Sequence, residues 1–195
     1  MSQPNPAQRA ELLEEHLHAQ GIIDPERIEP AVARAESSSG DVPSPAMGAR
    51  VVARAWTDED FKTRLLTDPV NTLSEYLDQA IPMAVVENTA LVHHVIVCTL
   101  CSCYPSGILG NPPSWYKSFE YRSRVVREPR AVLAEFGTHL DEGVELVVHD
   151  STAEQRYLVL PARPAGTDGW SQEDLATLVT RNSMIGTGLA RTPPA

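Results

Sequence analysis

Val95-Ile96-Val97-Cys98-Thr99-Leu100-Cys101-Ser102-Cys103 is the stretch around which the chain is arranged. Its first three residues are β-branched and apolar, the composition of a buried strand. The next six hold all three cysteines of the 195-residue chain. Thiols at i, i+3 and i+5 can point at one centre only if the backbone between them curls tightly. A strand therefore delivers a cysteine claw.

An odd cysteine count confined to one loop favours metal or redox chemistry over a disulfide framework. Structural zinc takes four nitrogen or sulfur ligands, and the claw offers three thiols. His93 and His94 are close in sequence, but in a strand one of them faces away from the other. A three-thiol metal site, a redox loop and plain buried cysteines all remain open on residue types alone. The Cys101-x-Cys103 spacing adds that the amides of Ser102 and Cys103 fall within reach of the same ion. Ionised amides are strong-field ligands that suit a trivalent low-spin ion such as Co(III) or Fe(III) better than zinc. Three sulfurs and two amides leave one octahedral position open on a Lewis acid, which is a catalytic arrangement.

N-terminal to the claw, Met83 to Val86 and Leu91 to Val97 read as strands joined through Glu87-Asn88-Thr89. Before them, Thr57 is placed as the cap of a helix through Phe61, Leu65 and Leu66, and Asp68-Pro69 opens another carrying Val70, Leu73 and Leu77. The first 45 residues read differently. Two short helical patterns, begun by Asn5-Pro6 and Asp24-Pro25, dissolve into Glu36-Ser37-Ser38-Ser39-Gly40 and Pro43-Ser44-Pro45, a linker. We expect residues 1–45 to form an N-terminal helical arm, either laid across another subunit or packed on itself. C-terminal to the claw, Gly107, Gly110, Pro112 and Pro113 suggest a rigid loop, followed by the aromatic group Trp115, Tyr116, Phe119 and Tyr121. Pro129 opens a helix with Val132, Leu133 and Phe136 that Gly137 stops. Val144, Leu146 and Val148 alternate as a strand, Tyr157 to Leu160 forms another, and Ser171 caps a last helix through Leu175, Leu178 and Val179. Helices first and last with strands between them predict an α+β layered domain over residues 46–190, with a tail at 191–195.

A net charge of −10 with scattered basic residues argues against nucleic-acid or anionic-membrane partners. No segment approaches the roughly 20 apolar residues of a membrane span, and Met1 to Gln8 lacks a signal-peptide core, so the expected location is cytoplasmic.

The claw Val97-Cys98-Thr99-Leu100-Cys101-Ser102-Cys103 resembles the metal motif of the nitrile hydratase alpha subunit. Further stretches are similar to that family in order along the chain. They include Val86-Glu87-Asn88-Thr89, Pro112-Pro113 with Trp115-Tyr116-Lys117, Tyr121-Arg122-Ser123-Arg124, Asp150-Ser151-Thr152-Ala153-Glu154, and Arg163-Pro164-Ala165-Gly166. The resemblance implies a layered nitrile hydratase alpha-chain-like domain and a hydro-lyase that converts a nitrile to its amide at a low-spin Co(III). Cys98, Cys101 and Cys103 would bind by sulfur, and the Ser102 and Cys103 amides would complete five positions. It further implies that Cys101 is a sulfinic acid and Cys103 a sulfenic acid. Thr99, where the iron enzymes carry serine, implies cobalt rather than iron. Arg156 is the intrachain candidate to hold the sulfur oxygens, Asp150 and Glu154 resemble acids that fix neighbouring side chains, and Gln79 stands where the family places a glutamine near substrate. The implied partners are one or more beta-type subunits, a cobalt-delivery activator protein and a small-molecule nitrile. Many family members follow the claw with a tryptophan and proline where this chain has Ser106-Gly107, which implies a roomier pocket for a bulky nitrile, such as the nucleoside toyocamycin. Two other readings are a thiocyanate hydrolase gamma-type subunit, which shares the claw, and a non-catalytic metal-binding subunit.

Overall fold

A computed structural model of the chain describes residues 16–17, 20–21, 44–77 and 82–194. The expected arm over residues 1–45 lies largely outside the described residues, and Gln79 lies outside them entirely. All elements named below belong to the compact unit Ser38–Ala195.

Three helices come first. Helix α1 (Pro45–Thr57) starts at residues expected to be linker: Ser44 accepts a hydrogen bond from the Met47 amide, and Pro45 fills the first turn, where its missing N–H costs nothing. Ser-Pro reads equally as linker or helix start, and the apolar face carried by Met47, Val51, Val52 and Ala55 decides for the helix. Helix α2 (Glu59–Thr67) is capped by Asp58, not Thr57. The Asp58 carboxylate accepts from the Phe61 amide at 2.9 Å, whereas the Thr57 hydroxyl turns back to donate to Ala53 O at 3.1 Å inside α1. Helix α3 (Pro69–Leu73) is capped by Asp68 as expected but ends at Leu73, so Leu77 lies beyond it.

Strands β1 (Met83–Glu87) and β2 (Val92–Val97) follow. Next come α4 (Ser106–Leu109), one helical turn inside the expected loop, a 3-10 turn at Ser114–Lys117, α5 (Phe119–Arg124) and α6 (Pro129–Glu135). Strands β3 (Glu145–Asp150) and β4 (Arg156–Leu160) precede α7 (Gln172–Leu178), capped by Ser171 as expected, and α8 (Arg181–Ile185). The sequence reading missed α8, whose start is a reciprocal pair: Thr180 accepts from the Ser183 amide while Ser183 accepts from the Thr180 amide, both at 3.0 Å.

The strands pair in parallel, β1 with β4 from Met83↔Arg156 to Glu87↔Leu160, and β2 with β3 from Val92↔Glu145 to Val97↔Asp150. Parallel strands need long crossovers, and the one from β2 to β3 contains the claw and four helical segments. Parallel order also puts the carboxyl ends of β2 and β3 side by side. Asp150 thereby arrives beside Val97; an antiparallel pairing would have brought Glu145 there instead. The α+β layered reading agrees with this arrangement of helices over short parallel sheets.

Val95, Ile96 and Val97 are fully buried, together with Val51, Phe61, Leu65, Ile108, Leu109, Val159 and Met184. Each such side chain contributes roughly 1.5–3 kcal/mol of apolar burial. Among the described residues, no helix is long and apolar enough to cross a membrane.

Candidate metal centre

At the end of β2 the ladder closes with the Ser151 amide donating to Val97 O at 2.7 Å, and the chain then leaves the sheet. Cys98 stays in the core at 1 % exposure, Cys103 is half-buried and Cys101 is exposed. The Cys101 sulfur lies 3.3 Å from that of Cys98 and 3.1 Å from that of Cys103, with all three sulfurs within 4.8 Å of one another. These separations test what the thiols could hold. Two thiolates at right angles on an ion with bonds of about 2.3 Å lie about 3.3 Å apart, whereas a tetrahedral pair lies about 3.8 Å apart. Both separations lie nearer the octahedral edge than the tetrahedral one, so by this measure the residues present fit a six-coordinate ion better than structural zinc.

The backbone shares in this convergence. The Cys101 amide donates to the Cys98 sulfur at 3.3 Å. Hydrogen bonds from the thiols of Cys103 and Cys98, then from the amides of Cys103 and Ser102, lower the Cys101 thiol to about 7. The Cys103 thiol is pushed up to about 12, first by its hydrogen bond with Cys101 and then by burial. Of this pair, Cys101 gives up its proton first.

Side chains from distant elements hold the claw from outside. Asp150 accepts from the Thr99 amide at 2.9 Å and from the Thr99 hydroxyl at 2.5 Å. Arg122, on α5, donates to Cys98 O at 2.9 Å and to Thr99 O at 2.6 Å. The Tyr116 hydroxyl donates to Cys103 O at 2.8 Å and the Tyr121 hydroxyl to Ile96 O at 2.6 Å. Seven residues, 116–122, thus supply the donors for four carbonyls between Ile96 and Cys103. Burial raises both phenols well above the ordinary tyrosine value, which keeps them protonated as donors. The sequence shows Tyr116 and Tyr121 as members of an aromatic group and assigns Arg122 no task. Their signal was polar tips on an otherwise apolar group, which require partners once buried.

Of the remaining site candidates among the described residues, Asp150 is seen on the claw. Arg156, the first residue of β4, donates to Ala153 O at 3.0 Å, and Glu154 is exposed. Among the described residues, none of the ion pairs joins Asp150, Glu154 and Arg156. The two histidines before the claw are not grouped with the sulfurs, and among the described residues the group able to hold a metal consists of the three cysteines. His93 is buried, donating through Nε2 to Gly186 O at 2.8 Å and accepting at Nδ1 from the Asn88 amide group at 3.1 Å. His94 faces the opposite side, its Nδ1 2.9 Å from His149 Nε2.

Comparison with known proteins gives a consistent answer. A family model described as nitrile hydratase, alpha chain, matches residues 4–188. The chain is 50% identical over 191 residues to the nitrile hydratase alpha subunit of a Rhodococcus species, covering 96% of this chain and 94% of that one. It is 52% identical over 182 residues to the cobalt-containing nitrile hydratase alpha subunit of Pseudonocardia thermophila, covering 91% and 87%. Among solved structures, a double-histidine mutant of the Fe-type nitrile hydratase of Comamonas testosteroni Ni1 superposes with a TM-score of 0.75 at 38% identity, covering 99% of this chain and 97% of that one. The family model over residues 4–188, with relatives 50% and 52% identical along nearly the whole chain, places the chain in the nitrile hydratase alpha-chain family.

Proposed function

We propose that this chain is the alpha subunit of a cobalt nitrile hydratase, acting with a beta-type partner, and that it hydrates a bulky nitrile to the amide. The observation that carries the proposal is the sulfur geometry: separations of 3.3 and 3.1 Å at the open end of a buried strand. Cys98, Cys101, Cys103 and the amides of Ser102 and Cys103 would hold the ion, and Thr99 and the cobalt-containing relative favour cobalt over iron. When bound, Co(III) supplies Lewis acidity toward the nitrile at its open position.

The chain's own residues divide the remaining work. Cys98 is sealed in the core and suited to remain a plain thiolate, while Cys101 and Cys103 are open enough for oxygen to reach them. That gradient supports Cys101 as the sulfinic and Cys103 as the sulfenic acid. The sulfenic oxygen of Cys103 then acts on the nitrile carbon or on the attacking water. Asp150 fixes the turn through Thr99, and the roles of Glu154, Arg156 and Gln79 rest on the family resemblance alone. Leu100 at 85 % exposure and Phe119 at 77 % flank this face with apolar surface, which suits a site completed by a beta-type chain. A cobalt-delivery activator would load the claw during assembly.

The bulky-nitrile reading is supported by the residues that follow the claw. Tyr104 turns into the core against Tyr116, with ring centroids 5.0 Å apart, and is buried there. Ser106, exposed at the first turn of α4, replaces an indole by a hydroxymethyl group. The test is a nitrile-to-amide assay of the reconstituted complex, comparing acrylonitrile with aromatic and nucleoside nitriles, toyocamycin among them. A higher kcat/KM for the bulky nitriles is expected. Preference for acrylonitrile would remove the substrate reading, and thiocyanate hydrolysis without nitrile hydration would remove the whole assignment.

A further inference from the structure

We propose that Arg122 is the positioning residue that sets the claw in its metal-binding shape. This inference rests on reading the three thiols as a metal centre. The unit at issue is the peptide between Cys98 and Thr99. A trans peptide points its C=O and N–H in opposite directions. Here both ends are held: Arg122 Nε donates to Cys98 O at 2.9 Å, and the Thr99 N–H donates to Asp150 at 2.9 Å. That plane cannot rotate without breaking a charge-assisted hydrogen bond at one end or the other. The second arm of the same guanidinium reaches Thr99 O at 2.6 Å and fixes the next peptide as well.

Two consecutive carbonyls held by one planar fork define the direction in which the chain leaves the strand. That direction determines whether the Cys101 amide and sulfur return to Cys98, as they do at 3.3 Å each. A lysine cannot replace this, because its ammonium donates from a single point on a flexible stem. Arg122 also places a positive charge against a loop that gathers negative charge as thiols and amides ionise around a cation. It approaches from the carbonyl side, through α5, and contacts the claw's backbone. In this it differs from Asp150, which acts from β3 and is an acceptor.

The test uses the complex of alpha and beta-type chains produced with cobalt, in wild type, Arg122→Ala, Arg122→Lys and Arg127→Ala. Arg127 donates to Ser123 O at 2.9 Å on the surface and serves as the control for loss of an α5-region arginine. Cobalt per alpha chain and the thiolate-to-metal absorption band are read beside a thermal melt. Groups of this kind are worth about 10- to 100-fold in metal affinity or activity. Under limiting cobalt, Arg122→Ala is expected to load at least about tenfold less metal than Arg127→Ala, with a shifted band on the fraction that loads. Arg122→Lys, which keeps the charge and serves if the alanine variant does not fold, is expected to fall between the two with the same shifted band. Wild-type cobalt content and band position in either Arg122 variant would overturn the positioning role alone. A wild-type complex that binds no cobalt would instead overturn the metal reading, and this inference with it.

Discussion

The two halves of strand β2 carry polar groups under opposite rules. At its start, Asn88, His93 and Gly186 form a closed set. The Asn88 amide group donates to His93 Nδ1, the Asn88 carbonyl oxygen accepts from the His94 amide at 2.7 Å, and His93 Nε2 donates to Gly186 O. At its end, the sulfurs of Cys98, Cys101 and Cys103 face one another, while the backbone around them is held by Arg122, Asp150 and Tyr116. The first set satisfies its own atoms and needs nothing more. The second holds its backbone rigid and leaves its three sulfurs, soft ligands, converging on one another. A polar cluster whose donors and acceptors pair with one another reads as structure, and one whose backbone is held while its thiols converge reads as a site.

This contrast is broken most severely by removing a sulfur. Cys98→Ser in the assembled complex is expected to abolish cobalt retention and nitrile hydration, with a melting temperature close to that of wild-type complex stripped of metal. Metal analysis and an amide-formation assay read the result. Full activity in this variant would mean that the claw is not the centre.

A comparably strong effect of the other kind belongs to Gly186. It sits at φ +89°, and an added Cβ would collide with the His94 carbonyl. Left-handed strain and overpacking together put Gly186→Ala at roughly 2–5 kcal/mol of destabilisation. The folded fraction should still bind cobalt, because the collision falls on His94 and Val95, short of the claw. A urea melt paired with metal content separates the two; a variant of wild-type stability would show that the α8 turn can withdraw from β2. Of similar size is Asn88→Ala, which strands the buried His93 Nδ1 at a cost of about 1–3 kcal/mol and the partly buried His94 amide at less. It too should leave cobalt content unchanged, and a fall in cobalt with unaltered stability would reverse the roles assigned to the two halves.

The same contrast explains what the sequence could reveal. Cys98, Cys101 and Cys103 were legible because three thiols in six residues have few structural uses, and Val95 to Val97 were legible as a strand because β-branched runs favour pleated, buried backbone. Asp68-Pro69, Pro129 and Ser171 marked helix starts correctly because cap chemistry is local. Pairing partners were not legible. Nothing in Val92–Val97 names Glu145–Asp150 as its neighbour, since parallel pairing is fixed by a crossover of some fifty residues rather than by a turn. For the same reason Arg122 was invisible as a claw residue. Its acceptors are backbone carbonyls, which every residue carries, so no sequence pattern records the contact. Thr57 against Asp58 was a choice between two good caps, decided by which one lay outside the α1 face.

The smallest expected effect concerns protons. Burial, the largest cause in each case, holds His93, His94 and His149 below the ordinary histidine value, with the charge of His93 and of His94 adding to the effect on His94 and His149 respectively. A histidine whose folded value is depressed stays neutral in the native chain while the unfolded chain takes up a proton near pH 6.5. Its contribution is therefore intact above about pH 6.5 and is lost progressively as pH falls through that value toward the folded one. Stability should decline from pH 7 to pH 5, with each differential proton adding up to about 1.4 kcal/mol per pH unit to the slope. His149→Phe keeps an aromatic face for Tyr157, whose ring lies 4.7 Å away, but removes one titrating ring and the repulsion it shares with His94. Denaturant melts at pH 5, 6 and 7, in a Cys98→Ser background so that metal loss does not intervene, should show a shallower decline for His149→Phe than for its parent. An equal slope in the two would mean that the His94–His149 pair takes up its proton as readily folded as unfolded, and that only the closed set around His93 belongs to the structural half of the strand.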